Sequence, residues 1–255
     1  MGWESWLGIV LTGLMGVSLG LLGGGGSILA VPILVYLFHL DAQAAITLSL
    51  VLVGGTALLA ALLQDRGTNV DWRGGALFVA LGAPFSLLGS YGSRRFPGGA
   101  LLFLFGVLML VVGAMTMRGR HEPPADAPHD WRRVAASGMG VGLLTGFLGV
   151  GGGFLIVPAL ALFTRMPMKV AIGTSLLVIA GNCVFALAGR WDILRMSWML
   201  LATLGPAALA GMLLGVRLCG RLDASQLRRL FGVSVIAVGL WMAFQNAASL
   251  LVSLR

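Results

Sequence analysis

The chain has 255 residues, of which 58% are hydrophobic and only 10% are charged, and its mean hydropathy is +0.97. Because soluble domains carry about 25% charged residues, this composition excludes an ordinary soluble protein and indicates an integral membrane protein. The net charge of +8 does not indicate a nucleic-acid partner, since the basic residues flank apolar segments singly or in pairs and form no basic face.

Eight segments without Asp, Glu, Lys or Arg follow one another along the chain. Six of them have the length of one helical crossing, because about 20 apolar residues span a hydrocarbon core of roughly 30 Å. The first and the fifth are too long for one crossing, and both contain runs of glycine. In chain order the segments are 5–40, 42–64, 74–93, 96–117, 134–164, 170–189, 196–216 and 230–254.

The second half of the sequence repeats the first, as an alignment of its two long glycine-rich segments shows. The stretch GLLGGGGSILAVPIL at 20–34 aligns with GFLGVGGGFLIVPAL at 146–160. With the same offset, AAITLSLVLVGGT at 44–56 aligns with VAIGTSLLVIAGN at 170–182. Similarity that extends over several segments indicates an internal duplication.

A polar, proline-rich stretch, RGRHEPPADAPHDWRR, separates the two halves. This composition is typical of a solvated linker, and its His121 and His129 are interpreted as loop residues. We therefore predict a first membrane repeat over 1–117, a polar cytoplasmic linker over 118–133 and a second membrane repeat over 134–255.

The distribution of basic residues indicates how the two glycine-rich segments run. If each segment crossed the membrane once, the basic residues would divide almost evenly between the two faces. If each segment turns back at its glycines, most basic residues lie on one face, as the positive-inside rule expects. We therefore predict an all-α polytopic membrane protein with two inverted repeats, each a glycine-broken helical hairpin followed by three transmembrane helices. This topology places both termini on the non-cytoplasmic side.

The glycine breaks also predict a binding site. Non-helical backbone survives at membrane depth only where it is buried in protein or lines a watery cavity. The N–H groups at the start of a helix carry partial positive charge and bind anions, and nearby hydroxyls and amides would complete the shell of an oxyanion. The candidate binding residues are Gly24, Gly25, Gly26, Ser27, Gly151, Gly152, Gly153, Thr47, Ser49, Thr174, Ser175 and Asn182.

A second interpretation of these residues is purely structural. Glycines allow two membrane helices to approach closely, and hydroxyls form hydrogen bonds that hold helices together. This interpretation suits the isolated residues Gly106, Gly113, Gly232 and Gly239 well. It suits consecutive glycines before a fixed proline less well, so both interpretations of the breaks stay open.

Other functional classes find little support in the sequence. The centres of the apolar segments contain no Asp, Glu, Lys or Arg, which disfavours a proton relay or a cation pathway. No arrangement of nucleophile, His and acid falls at one depth, so we expect no enzyme activity, no cofactor and no metal site. Cys183 and Cys219 are interpreted as buried thiols.

The two glycine-rich stretches with Pro32 and Pro158, together with AIGTSL at 171–176, resemble the sulfite exporter TauE/SafE family, also called the toluene-sulfonate uptake permease family. The resemblance covers nearly the whole chain. Among the differences between the copies, the first has Gly24 for Val150, Ser27 for Gly153 and Thr47 for Gly173, so the resemblance does not imply an identical site in each half.

The resemblance implies a secondary transporter, in the export direction, of small sulfur-containing anions such as sulfite or organosulfonates. It also implies a location in the bacterial inner membrane, and the two inverted repeats predict transport by alternating access. The expected partners are this anion and the lipid bilayer, without nucleic acid, and a homodimer is plausible. The alternatives are a carrier or channel for another small anion or metabolite and a non-transporting membrane scaffold subunit.

Overall fold

The computed structural model describes residues 3–40, 42–65, 69–93, 98–118, 131–148, 153–164, 166–188 and 198–253. Within these ranges all regular secondary structure is helical, which confirms the all-α membrane fold. A π-helical turn, Ala159–Phe163, directly continues α7. The helices are α1 (Trp3–Leu22), α2 (Ser27–Tyr36), α3 (Ala42–Asp65), α4 (Trp72–Ser93), α5 (Gly98–Arg118), α6 (Trp131–Leu148), α7 (Gly153–Pro158), α8 (Met168–Ala188), α9 (Trp198–Arg221) and α10 (Ala224–Ser253).

Three helices in the described ranges are long and apolar enough to cross a membrane. They are Ala44–Asp65 within α3, Met168–Leu187 within α8, and the whole of α9. The central residues 119–130 of the predicted linker lie outside the described residues, and α5 and α6 extend into its two ends.

The first glycine-rich segment turns back on itself. Gly23 has a φ angle of +76°, a left-handed conformation that glycine adopts without steric cost. After this turn, Gly26 lies against Leu19 of α1, and the ring of Phe38 beyond the end of α2 covers Gly8 near the start of α1. The short helix α2 therefore runs back along α1, as the predicted hairpin requires.

The most extensive helix contacts join the two repeats, because α1 packs on α9 and α4 packs on α6. Gly13 lies against Ala207 at one end of the α1–α9 contact, and Gly20 lies against Gly215 further along it. Since the residue numbers rise together, these two helices run in the same direction. The α1–α9 contact leaves no room for a side chain at Gly16 or Gly20, because a Cβ there would lie 2.9 Å from the backbone nitrogen of Met212 or Val216.

The last helices of the two repeats, α5 and α10, form another extensive contact but run in opposite directions. A Cβ on Gly239 would lie 3.1 Å from the carbonyl oxygen of Gly106, and one on Gly113 would lie 3.2 Å from that of Gly232. The prediction that these four glycines serve helix packing is confirmed. The duplicated sequence aligns Gly106 with Gly232 and Gly113 with Gly239. The Gly106–Gly239 contact and the Gly113–Gly232 contact are therefore equivalent when the two repeats are exchanged.

The middle of the bundle is formed by α3 and α8 with the short helices α2 and α7. Small side chains such as Ala57, Ala60 and Ala171 are fully buried there, and larger ones such as Leu160 and Leu176 fill the remaining space. Large apolar side chains on the outer helices, for example Leu214 of α9, are exposed. Apolar exposure of this kind is what a lipid environment requires.

Candidate functional site

The break between α1 and α2 lies in the middle of the bundle, against the second repeat. The N–H of Gly23 donates to the carbonyl oxygen of Leu19 at 2.9 Å and so ends α1. A Cβ on Gly23 would lie 3.0 Å from the carbonyl oxygen of Ile172 on α8 and 3.1 Å from Val157 Cγ2 on α7. It would also strike the hydroxyl of Ser175. The first hairpin therefore rests directly on α7 and α8.

The amino terminus of α2 begins at this break without a side-chain cap. Gly26 occupies the N-cap position with helical angles, φ −69° and ψ −32°, and this position makes no side-chain capping hydrogen bond. The hydroxyl of Ser27 instead donates to the carbonyl oxygen of Gly24 at 2.8 Å. Because N–H groups in the first turn of a helix lack intrahelical partners, this end of α2 carries partial positive charge. Gly24 and Gly26 are buried and Gly25 is half-buried.

Ser27 and Gly153 occupy equivalent positions in the two repeats, and the structure brings them into contact. A Cβ on Gly153 would lie 2.5 Å from the hydroxyl oxygen of Ser27 and 3.3 Å from the carbonyl oxygen of Gly24. Two residues that the duplication aligns can touch only where the two repeats meet. The space between them holds one side chain, which explains why the first repeat has serine where the second has glycine.

The other predicted hydroxyls are buried, and two of them bond to their own helices. Ser49 donates to the carbonyl oxygen of Ile46 and Ser175 donates to that of Ile172, each at 2.7 Å. Of these two, Ser175 is placed at the break by its contact with Gly23. Thr47 lies buried on α3.

Two further predicted residues are not brought to the break. The oxygen of Thr174 accepts the backbone N–H of Asp71 at 2.9 Å, and Asp71 in turn caps α4 by accepting the N–H of Gly74. Thr174 therefore fixes the start of α4 against α8. Asn182 is half-buried on α8, about 10 Å beyond Ser175 by helical rise. Gly151 and Gly152 lie outside the described residues.

The sequence analysis overlooked Gln64, which lies buried beside the break. Its side-chain nitrogen donates to the carbonyl oxygen of Gly20 at 3.2 Å, in the last turn of α1. In the sequence, an amide side chain at the end of the apolar segment 42–64 was the only indication of this role. Its position at the segment's end suggested a residue at the membrane surface instead. This hydrogen bond joins the end of α3 to the last turn of α1, directly before the break.

Among the described residues, no group of three or more His, Cys, Asp or Glu side chains comes together in a way that could hold a metal ion.

Comparison with known proteins gives the family. The model of the sulfite exporter TauE/SafE family matches residues 8–242. The chain belongs to the TauE/SafE family. This match includes both glycine-rich segments, so Gly23 and the contact of Ser27 with Gly153 lie within the matched region.

Relatives of this TauE/SafE protein are named as transporters. A probable membrane transporter protein of Xylella fastidiosa (strain Temecula1) is 39% identical over 248 residues, which cover 93% of this chain and 94% of that protein. The probable membrane transporter protein YunE of Bacillus subtilis is 25% identical over 268 residues, or 94% of this chain and 98% of that protein. No solved structure gives a significant match. Family and relatives together indicate a membrane transporter of the TauE/SafE type.

Proposed function

We propose that this protein is a secondary transporter that exports small sulfur-containing anions, such as sulfite or organosulfonates, across the bacterial inner membrane. The observation that carries the proposal is the contact, in the middle of the bundle, between the first hairpin and α7, the short helix of the second glycine-rich segment. The break of the first hairpin is buried there and lies against Gly153, Val157 and α8. A transporter with one central site needs such a meeting point of its repeats.

An anion suits this place for electrostatic reasons. The first turn of α2 presents partial positive charge at the break, and its N-cap residue, Gly26, has no side chain to cap it. A favourable, partly buried anion at a helix amino terminus is stabilised by up to about 2 kcal/mol. The hydroxyls of Ser27 and Ser175 lie beside the same turn, and each would donate to an oxyanion after rotating away from its present carbonyl acceptor.

Inverted repeats and alternating access fit the helix directions. Equivalent helices of inverted repeats run antiparallel, and α5 and α10 do so with reciprocal glycine contacts. The duplication pairs α1 with α6 and α4 with α9, so the α1–α9 contact and the α4–α6 contact are equivalent. Both contacts join parallel helices, which agrees with inverted repeats. In such carriers the helices rock as rigid groups around a fixed central site. The name of the family also supports sulfite as the first substrate to test.

The test is flux of labelled sulfite into and out of liposomes that contain the purified protein. Sulfate, an organosulfonate and chloride serve as competitors. We expect saturable flux that the organosulfonate reduces, since both anions present sulfur-bound oxygens to the same N–H groups. Flux without saturation would favour a channel, and competition by chloride alone would favour a carrier of another small anion.

The matched variants are Gly25→Leu and Gly140→Leu. At Gly25 a Cβ would lie 2.9 Å from the Ser18 hydroxyl, so a leucine obstructs the break while the contact can relax by side-chain movement. At Gly140 on α6 an added Cβ meets nothing within 4 Å. We expect Gly25→Leu to lower flux at least about tenfold, equivalent to about 1.4 kcal/mol, with the thermal midpoint kept. Equal flux in both variants, or no anion flux from folded wild-type protein, would contradict the proposal.

A further inference from the structure

A large apolar cavity lies between α3, α4 and α8, on a different side of α8 from the glycine break. Its volume is about 660 Å³, and its wall includes Leu58, Trp72, Leu177 and Phe185. Ser175 faces the break, whereas Leu177 is two residues further along α8 and points about 200° away from it. The cavity is therefore separate from the proposed anion site and nearly devoid of polar groups.

The position of the cavity determines what can fill it. Two of the three helices around it, α3 and α8, are candidate membrane spans. The cavity opens outward between strongly exposed apolar side chains, with Val184 exposed to 68% and Phe185 to 62%. An opening of this kind in a membrane protein faces the hydrocarbon core of the bilayer, where water finds no polar partners. An acyl chain fills such a space without any desolvation cost.

One end of the cavity has a charged rim. The indole nitrogen of Trp72, which lines the cavity, donates to the carboxylate of Asp65 at 2.9 Å, and the exposed Arg73 follows it in the chain. Asp65 stands seven residues after the lining residue Leu58, and Arg73 stands seven residues before the lining residue Ala80. Seven residues make two helical turns, so both charged residues stand above the cavity on its own helix faces. Indole groups also favour the boundary between hydrocarbon and water.

We propose that this cavity binds one phospholipid of the surrounding membrane, with an acyl chain between α3, α4 and α8 and its headgroup at the rim. The guanidinium of Arg73 pairs with the phosphate, and the carboxylate of Asp65 pairs with an ammonium group, as in phosphatidylethanolamine. The acyl chain lies beside Gly54 and Gly55, two lining residues that have no side chain and so leave space along α3. The site depends on no property of the transported anion.

The test is native mass spectrometry of the full-length protein, purified in mild detergent and incubated with palmitoyl-oleoyl-phosphatidylethanolamine. Gly55 offers a way to fill the cavity, because it lines the wall and an added Cβ meets nothing within 4 Å. Gly140 offers the matched control, with the same free space outside the cavity. We expect one retained lipid in wild type and in Gly140→Phe, and at least about tenfold less in Gly55→Phe. Ala80→Phe fills the same cavity from α4 and replaces Gly55→Phe if that variant loses its thermal midpoint.

The headgroup is tested with Arg73→Gln and with phosphatidylglycerol as the competing lipid. We expect wild type to retain phosphatidylethanolamine in preference, and Arg73→Gln to retain severalfold less of it, since the phosphate loses its cation. Equal lipid retention by Gly55→Phe and Gly140→Phe, or none in wild type, overturns the site. Unchanged retention in Arg73→Gln overturns the assignment of the headgroup. A wild-type dimer that Gly55→Phe converts to monomer overturns the lipid as occupant and assigns the cavity to a second copy of the chain.

Discussion

The short helix of the first hairpin stays a regular α-helix through Pro32 to its end, whereas the aligned helix of the second glycine-rich segment changes to a π-helical turn after Pro158. The two arms align in sequence, yet their neighbours differ. In the first hairpin the ring of Phe38 covers Gly8. In the second, the residue aligned with Phe38 is Thr164, whose hydroxyl donates to the carbonyl oxygen of Leu160 within its own turn.

The sharpest difference between the two glycine-rich segments is at their point of contact. Ser27 and Gly153 are aligned by the duplication and touch each other, so a side chain on one excludes a side chain on the other. Duplicated halves that pack on each other cannot remain identical where equivalent residues meet unless those residues are very small. The asymmetry of the pair is therefore a steric requirement, whatever hydrogen bond Ser27 adds.

The largest effect on the hairpins is expected from Gly23→Ala. Alanine in a left-handed conformation costs about 1–2 kcal/mol, and overpacking against Ser175 and Ile172 costs about 1–3 kcal/mol, so stability falls by about 3 kcal/mol. Thermal unfolding in detergent, followed by tryptophan fluorescence, measures this loss. The double variant Gly23→Ala with Ser175→Ala removes part of the clash and should recover part of the midpoint. Wild-type stability in the single variant would show that the turn at Gly23 is not built as described.

A smaller loss, about 2 kcal/mol, is expected from Gly153→Ser, because a second side chain must fit beside the hydroxyl of Ser27. The matched control exchanges the pair, combining Ser27→Gly with Gly153→Ser. Since the exchanged protein again has one side chain at the contact, its thermal midpoint should return close to wild type. An exchanged variant no more stable than Gly153→Ser would refute the one-side-chain account.

The smallest effect is expected from Gly8→Ala, which changes the other end of the first hairpin. The added Cβ would meet the end of the Phe38 ring, a flexible side chain beyond the last turn of α2 that can move aside. Alanine also gains about 1 kcal/mol of helix propensity over glycine, so the net change stays within about 1 kcal/mol. The same unfolding assay tests this, with Phe38→Leu as the variant that provides the space. A loss of stability as large as that of Gly23→Ala would show that the Phe38 ring cannot move aside and that this end of the hairpin is as rigid as the break.

Much of this architecture could be predicted from local sequence properties. Hydropathy was sufficient for the apolar segments of α3, α8 and α9. The combination of consecutive glycines and basic flanks was sufficient for the first hairpin, since a turn at membrane depth needs glycine and topology follows charge. The isolated glycines of α5 and α10 were predictable as contact residues because they repeat at helical spacing on one face.

The remaining contacts depend on which helices pack against each other, and local sequence properties do not determine this. Thr174 was predicted to face a ligand but accepts the N–H of Asp71, a partner about a hundred positions away in the chain. Gln64 was overlooked because its acceptor, the carbonyl of Gly20, becomes accessible only when α3 packs beside the end of α1. The apolar cavity has the same origin, since three separate segments form its wall.

The main helix contacts join one repeat to the other, and this has a consequence for biosynthesis. Helix α1 finds its main partner, α9, only after the chain has been synthesised through Arg221. Until then its glycine face, with Gly13, Gly16 and Gly20, is exposed to lipid or to the insertion machinery. Each half on its own lacks the main packing partners of its outer helices, so two fragments divided at the linker should reach this packing only by associating in the membrane.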